Sequence, residues 1–297
     1  MKHISIFCIF FLSALFTGCI REDLEPCNTF LYFSYLGDEN REIFPDKIGK
    51  VNLYVYNVND ALVEAITLEQ HDLSARRGIE LNLPDGLYKV VCWGNSYVDT
   101  QINNPSARGL ASVAAPRYFT GETISTNDSL YVGIKDIEID TSRSSEDTIY
   151  FSSAHIKMQI EVLGTGTLKL TKNENIPFRI EVGNLSSTVN FNKNFSEERT
   201  SYLPSVSSNE EMTGYTSRFN VLRFEDENDI MVSLKDNDSQ ATLYTLNLQQ
   251  FMKEYGISVH GKNEVLVGIR FRFNGMAITV VPWNEENIKP GIGNMPI

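Results

Sequence analysis

The sequence predicts an all-β protein with one or two short helices, built as two β-sandwiches in tandem. Three observations carry this. Apolar and polar residues alternate with period two along much of the chain, as in strands with one face on a core. Turn-forming residues return about every 8–15 positions, which suits a sandwich better than a βαβ array. The 297 residues are 42% hydrophobic and 22% charged, a globular composition and not a disordered one.

The N-terminus reads as an export signal over residues 1–18. Lys2 supplies the positive end, Ile4 to Phe16 form an apolar core too short to span a bilayer, and Thr17 and Gly18 are small. Cys19 follows, and the segment Leu15-Phe16-Thr17-Gly18-Cys19 resembles a bacterial lipoprotein signal, in which the Cys becomes diacylated. It departs from that pattern in having Phe16 where Leu is usual. Acyl chains on Cys19 would hold the protein in the outer membrane, since each buried methylene contributes roughly 0.8 kcal/mol. The acidic stretch Glu22-Asp23-Leu24-Glu25 makes residues 19–28 a lipidated tether. It also resembles the tag that sends some Bacteroidetes lipoproteins to the cell exterior. Cys8 leaves with the signal. Cys27 and Cys92 either pair in an oxidising compartment or leave Cys92 as a buried free thiol.

A first sandwich is expected over residues 29–145. Val51, Leu53 and Val55 alternate with Asn52, Tyr54 and Tyr56, and a turn at Asn57–Asp60 leads to a second strand near Leu62. Leu83-Pro84-Asp85-Gly86 is a turn that launches Leu87–Trp93, whose two faces are both apolar toward its end. That strand should be central. The segment Pro105–Ala114 reads as weak helix or loop.

The polar run Ser142–Asp147 separates this block from a second sandwich over residues 146–297. Ile156, Met158, Ile160 and Val162 alternate with Lys157, Gln159 and Glu161, the pattern of a half-solvated antiparallel strand. Phe178, Ile180 and Val182 repeat it, as do Val265, Val267, Ile269, Phe271 and Phe273. Leu248, Phe251, Met252 and Tyr255 have helical spacing, with Asn247 as N-cap and Gly256 as stop. The tail from Glu285 onward, with Pro290, Gly291, Gly293 and Pro296, reads as flexible.

Few residues point to chemistry. With 26 Lys+Arg against 38 Asp+Glu, a net charge of −12 and no basic run, the chain does not read as a nucleic-acid binder. His71, His155 and His260 stand apart from any metal or triad spacing, and all three read as solvent-facing. There is no nucleophile elbow, P-loop or dinucleotide fingerprint. No catalytic residue, metal or cofactor is expected. The runs Asp226–Asp229 and Asp236–Asp238 read as hairpin turns before calcium loops.

Taken in order, Cys19-Ile20-Arg21-Glu22-Asp23-Leu24-Glu25-Pro26-Cys27, Phe30–Tyr35, Asp46-Lys47-Ile48, Val51–Tyr56, Leu83–Tyr88 and Cys92-Trp93-Gly94-Asn95 resemble one family. Leu130-Tyr131-Val132-Gly133, the helix near Leu248 and Pro282-Trp283-Asn284 continue the likeness. The chain is similar to the FimB-like anchor subunits of Bacteroidales fimbriae, or type V pili. The resemblance implies two transthyretin-like β-sandwiches and an outer-membrane lipoprotein, not an enzyme, that tethers a fimbrial stalk and limits its length. It implies contact with a stalk subunit by strand donation, a form of β-augmentation. The apolar strand Met276–Trp283 is the candidate partner-strand contact, through Met276, Ile278, Val280 and Trp283. The alternative is a fimbrial tip adhesin or a surface glycan-binding lipoprotein.

Overall fold

The computed structural model describes residues 29–165, 176–209, 214–275 and 277–283. The chain is mostly β with a few short helices. Its first half runs through β1 (Thr29–Ser34), α1 (Phe44–Lys47), β2 (Val51–Tyr56), β3 (Leu62–Leu68), α2 (Gln70–Ala75), β4 (Gly78–Leu81), β5 (Gly86–Gly94), β6 (Gln101–Asn103), β7 (Ser112–Ala114), α3 (Pro116–Thr120), β8 (Tyr131–Ile139) and β9 (Ser145–Ser153). Seven of these strands form a sheet in the order β3-β2-β5-β8-β9-β1-β4. β8 and β9 pair only from Tyr131–Ser153 to Gly133–Phe151. Beyond that short seam the strands diverge, and the sheet curls over its own core as a half-barrel. Leu31, Phe33, Val51, Leu53, Val55, Val90, Cys92, Ile149 and Phe151 fill it.

The expected hairpin is β2–β3. Its turn is held by the Asn57 side-chain carbonyl, which accepts from the Asn59 and Ala61 amides at 2.9 and 3.2 Å. Asp60 takes the left-handed conformation (φ 58°), which a short polar side chain tolerates. β5 is central, as its sequence requires: Val90 and Cys92 face the half-barrel core, and Val91 and Trp93 face a second apolar cluster behind the sheet. In Pro105–Ala114 a 3₁₀ turn at Arg108–Leu110 leads into β7.

The second half comprises β10 (His155–Leu163), β11 (Phe178–Ser186), β12 (Val189–Asn190), β13 (Arg199–Tyr202), β14 (Ser207–Asn209), β15 (Gly214–Leu222), β16 (Met231–Asp236), β17 (Thr242–Asn247), α4 (Leu248–Glu254), β18 (Leu266–Asn274) and β19 (Ala277–Pro282). Two sheets, β14-β15-β10-β18-β19 and β13-β11-β16-β17, enclose a core that includes Ile156, Ile160, Ile180, Val232, Ile269 and Phe271. The helix is as read. The Asn247 side chain accepts from the Gln250 amide at 3.0 Å, Leu248, Phe251 and Met252 are buried, and Gly256 follows at φ 63°. Asp236 closes its hairpin turn by accepting from the Ser239 amide at 2.7 Å, and Asp226 accepts from the Val259 amide at 2.7 Å.

Three sequence expectations meet a different arrangement. The expected boundary after residue 145 falls at the start of β9, which pairs with β8 and β1 in the first sheet; the chain crosses at Ala154. β10 is antiparallel to β15 but parallel to β18. Most of its polar face is not solvated: His155, Gln159 and Glu161 are each buried to 4% exposure or less, and Lys157 alone stays partly exposed. The alternation of β10 separates a greasy environment from a buried polar one, and period two alone reports only that the faces differ.

The halves are joined by shared structure. β12, from the second half, adds to β7 of the first in a small sheet β12-β7-β6. Beneath it Trp93, Tyr56, Val113 and Leu130 pack with Val189, Phe191 and Leu222. Ala115 and Ile124, flanking α3, reach into the second core.

Candidate functional site

For a chain without catalytic motifs, the features that bear on function are the junction between the halves and the outer strand of the five-stranded sheet in the second half. The junction has a polar centre. Glu264, just before β18, accepts from the Tyr35 hydroxyl at 2.8 Å and the Tyr131 hydroxyl at 3.2 Å on one oxygen. Its other oxygen accepts from Lys47 at 2.8 Å and Lys157 at 3.0 Å. Tyr35, Lys47 and Tyr131 belong to the first half, so one carboxylate gathers donors from both. Burial pushes the Glu264 pKa up, but donation from Lys47, Tyr35 and Lys157 outweighs it and holds the carboxyl at about 2. Burial, then the Glu264 carboxylate, raises Tyr35, so its hydroxyl stays a donor.

His155 lies beside this centre, its ring edge-on to Tyr131 at 5.3 Å and its Nδ1 at 2.9 Å from the Leu130 carbonyl. That carbonyl can only accept, so Nδ1 carries the proton. Burial lowers its pKa most, against the Leu130 bond that raises it, and the result is about 4 where 6.5 is ordinary. The neutral ring's contribution to stability is therefore complete above pH 6.5 and lost as pH falls through 6.5 toward 4. Thermal unfolding followed across that interval should show a falling midpoint, and His155→Gln should flatten it. A midpoint as steep in the variant as in the parent would contradict this.

The second feature is β19, the outer strand of its sheet. Of the candidate contact residues, Ile278 and Val280 pack against the second core, and Met276 lies outside the described residues. The Trp283 indole donates to Glu161. Glu161 also takes Arg270 at 2.9 Å and Gln159 at 3.3 Å, and Arg218 donates to Gln159 at 3.0 Å. This layer covers the polar face of β10. Gly268 makes it possible, since a Cβ there would meet the Trp283 Cβ at 2.8 Å.

Among the described residues β19 has no neighbour on its outer side. The Trp283 amide bonds the Gly268 carbonyl at 3.1 Å, so that pair is hydrogen-bonded. By alternation Pro282, Val280 and Ile278 turn their main-chain groups to the open edge. Pro282 has no N–H to offer there, and the Val280 carbonyl is taken by the Tyr255 hydroxyl at 3.1 Å. The edge is blunted at its C-terminal end and open around Ile278.

Among the described residues Cys92 is a free thiol, fully buried in the half-barrel core, and burial pushes its pKa up. Cys19, Cys27 and the tail from Glu285 lie outside the described residues. Sequence reading missed the junction centre. Glu264 heads a recognised alternation, but Lys47 and Tyr35 lie 217 and 229 positions away, and no local signal links them.

Residues 23–289 match the family described as Mfa2, the fimbrillin-A associated anchor proteins Mfa1 and Mfa2. No curated protein sequence matches the chain. Among solved structures, a Bacteroides thetaiotaomicron protein provisionally described as polysaccharide-binding is similar at TM-score 0.70 and 17% identity, covering 88% of this chain and 100% of that one. A Bacteroides ovatus protein provisionally described as an adhesin is similar at TM-score 0.69 and 16% identity, covering 90% and 98%. The fimbrial anchor protein Mfa2 from Porphyromonas gingivalis is similar at TM-score 0.64 and 15% identity, covering 86% and 95%. At these identities the likeness shows a shared fold. The family is one of fimbrillin-associated anchor proteins, not enzymes. A family match that runs almost the length of the chain, on a fold whose halves are fused and which carries no catalytic motif, places this protein in the Mfa2 family of fimbrillin-associated anchor proteins.

Proposed function

We propose that this chain is the lipid-anchored base subunit of a cell-surface fimbria, tethering the stalk to the outer membrane and limiting its length. The family match carries the reading: it begins four residues after Cys19, so the tether leads directly into the matched region. In this reading residues 1–18 are removed, Cys19 is acylated, and two tandem transthyretin-like sandwiches stand outside the cell. A subunit under load from a stalk gains from a junction that cannot hinge, and the shared sheet and the Glu264 centre supply that stiffness.

The stalk contact is assigned to β19, where a strand from the partner would pair with the open edge around Ile278. Ile278→Pro removes an outward N–H without taking a hydrogen bond from β18, because that N–H faces away from it. Cells carrying a folded Ile278→Pro protein should shed fimbriae into the medium. Full retention of fimbriae by that variant would remove β19 from the contact. For a glycan-binding role, the described residues offer one pair of exposed aromatics on a shared sheet face, Tyr32 and Tyr150 on β1 and β9.

A further inference from the structure

One pocket at the junction stands apart from the Glu264 centre. It is a cavity of about 370 Å³ whose walls come from both halves, with Ser152 and Val132 on one side and Val189, Lys193, Arg223 and Lys262 on the other. In a chain of net charge −12, three basic side chains line this space. Glu225 is the one acid in its lining, half exposed, 3.8 Å from Arg223 and 3.3 Å from His260.

The cations are placed by structure. Lys193 sits at φ 66° in a turn that Asn190 closes by accepting from the Asn192 and Asn194 amides, each at 2.9 Å. From there its ammonium crosses to the first half and donates to the Ser152 hydroxyl at 2.7 Å. Among the described residues Lys193 and Lys262 form no ion pair. Partial burial, then repulsion from Arg223, lowers the Lys193 pKa. Arg223 is 12% exposed and bonded to the Val259 carbonyl. Three cations brought together against one carboxylate repel one another, and an anion entering the space relieves that repulsion. Part of the wall is apolar, with Val189 fully buried and Phe195 partly exposed beside it, and Ser153, His260 and Asn263 add polar groups.

We infer that this pocket binds an anionic sugar, a uronate or sugar phosphate, with its charged group on Lys193, Arg223 and Lys262 and its ring against Phe195. A volume of about 370 Å³ admits a body of that size, and sugar rings present an apolar face to aromatic walls. The inference goes beyond the anchor reading and stands or falls separately from it.

Calorimetric titration of the full chain in detergent tests it, with glucuronate, a hexose phosphate, glucose and inorganic phosphate as probes. Glucuronate or the hexose phosphate should bind, more weakly as salt rises, and glucose should not. Lys193→Gln with Lys262→Gln should weaken that binding by about tenfold or more while leaving the unfolding midpoint in place. Glucose binding as tightly as glucuronate would overturn the anion site. Inorganic phosphate binding as tightly as the hexose phosphate would overturn the sugar. So would no binding of either anionic sugar, or unchanged binding by the double variant.

Discussion

Replacing Glu161 with alanine should destabilise the protein by about 3–5 kcal/mol, and Arg270→Ala should cost a similar amount. Their side chains are only 5% and 4% exposed and meet at 2.9 Å. Taking either away leaves the other charged and buried, with no water to replace the lost partner. Glu161→Ala does more, because Trp283 and Gln159 also donate to that carboxylate. The Trp283 anchor of β19 would loosen with it. The pair itself need not be stabilising, since removing both charges from water is expensive. Glu161→Leu combined with Arg270→Met should therefore recover most of the loss. Denaturant unfolding of the three variants checks this. Single variants within about 1 kcal/mol of the parent would contradict the burial of the pair.

The second large effect is expected at the junction. Glu264→Gln removes the charge that Lys47 and Lys157 share and weakens the acceptor for two tyrosines. The depression of its pKa from 4.5 to about 2 would correspond to about 3.4 kcal/mol, and solvent screening at this half-buried site lowers that to about 2–3 kcal/mol. A carboxylate with a lowered pKa contributes fully above its unfolded value. Its share is present above pH 4.5 and is lost as pH falls through that value toward 2. The variant should be less stable at neutral pH and should lose this part of the acid dependence. His155 acts at higher pH, so the parent should weaken in two overlapping stages on acidification, His155 first. A Glu264→Gln protein as stable as the parent at neutral pH would contradict this role.

Local structure was largely legible in the sequence. The hairpin at Asn57–Asp60, the two-faced strand β5 and the capped helix α4 follow from turn chemistry, apolar faces and helical spacing. What escaped were features made by distant segments. The polar face of β10 reads as solvated because Lys157, Gln159 and Glu161 are hydrophilic; only Arg218, Arg270 and Trp283, far along the chain, bury it. His155 was read as exposed for the same reason, before Leu130 and Tyr131 were placed against it. The polar start of β9 reads as a linker, although Thr29 and Ser145 pair across two strands of one sheet at 2.8 Å. The lysine turn at Asn190–Asn194 carries no local signal of Ser152, 41 positions earlier, which it meets across the junction.

The most direct test of the base-subunit reading is Cys19→Ala in the native host, with the protein and the fimbriae followed together in cell and medium fractions. The described residues build their cores without Cys19, so the variant should fold as the parent does, leave the outer membrane, and carry assembled fimbriae into the medium. A variant that stays with the outer membrane, or leaves it while the fimbriae remain on the cells, would contradict the reading.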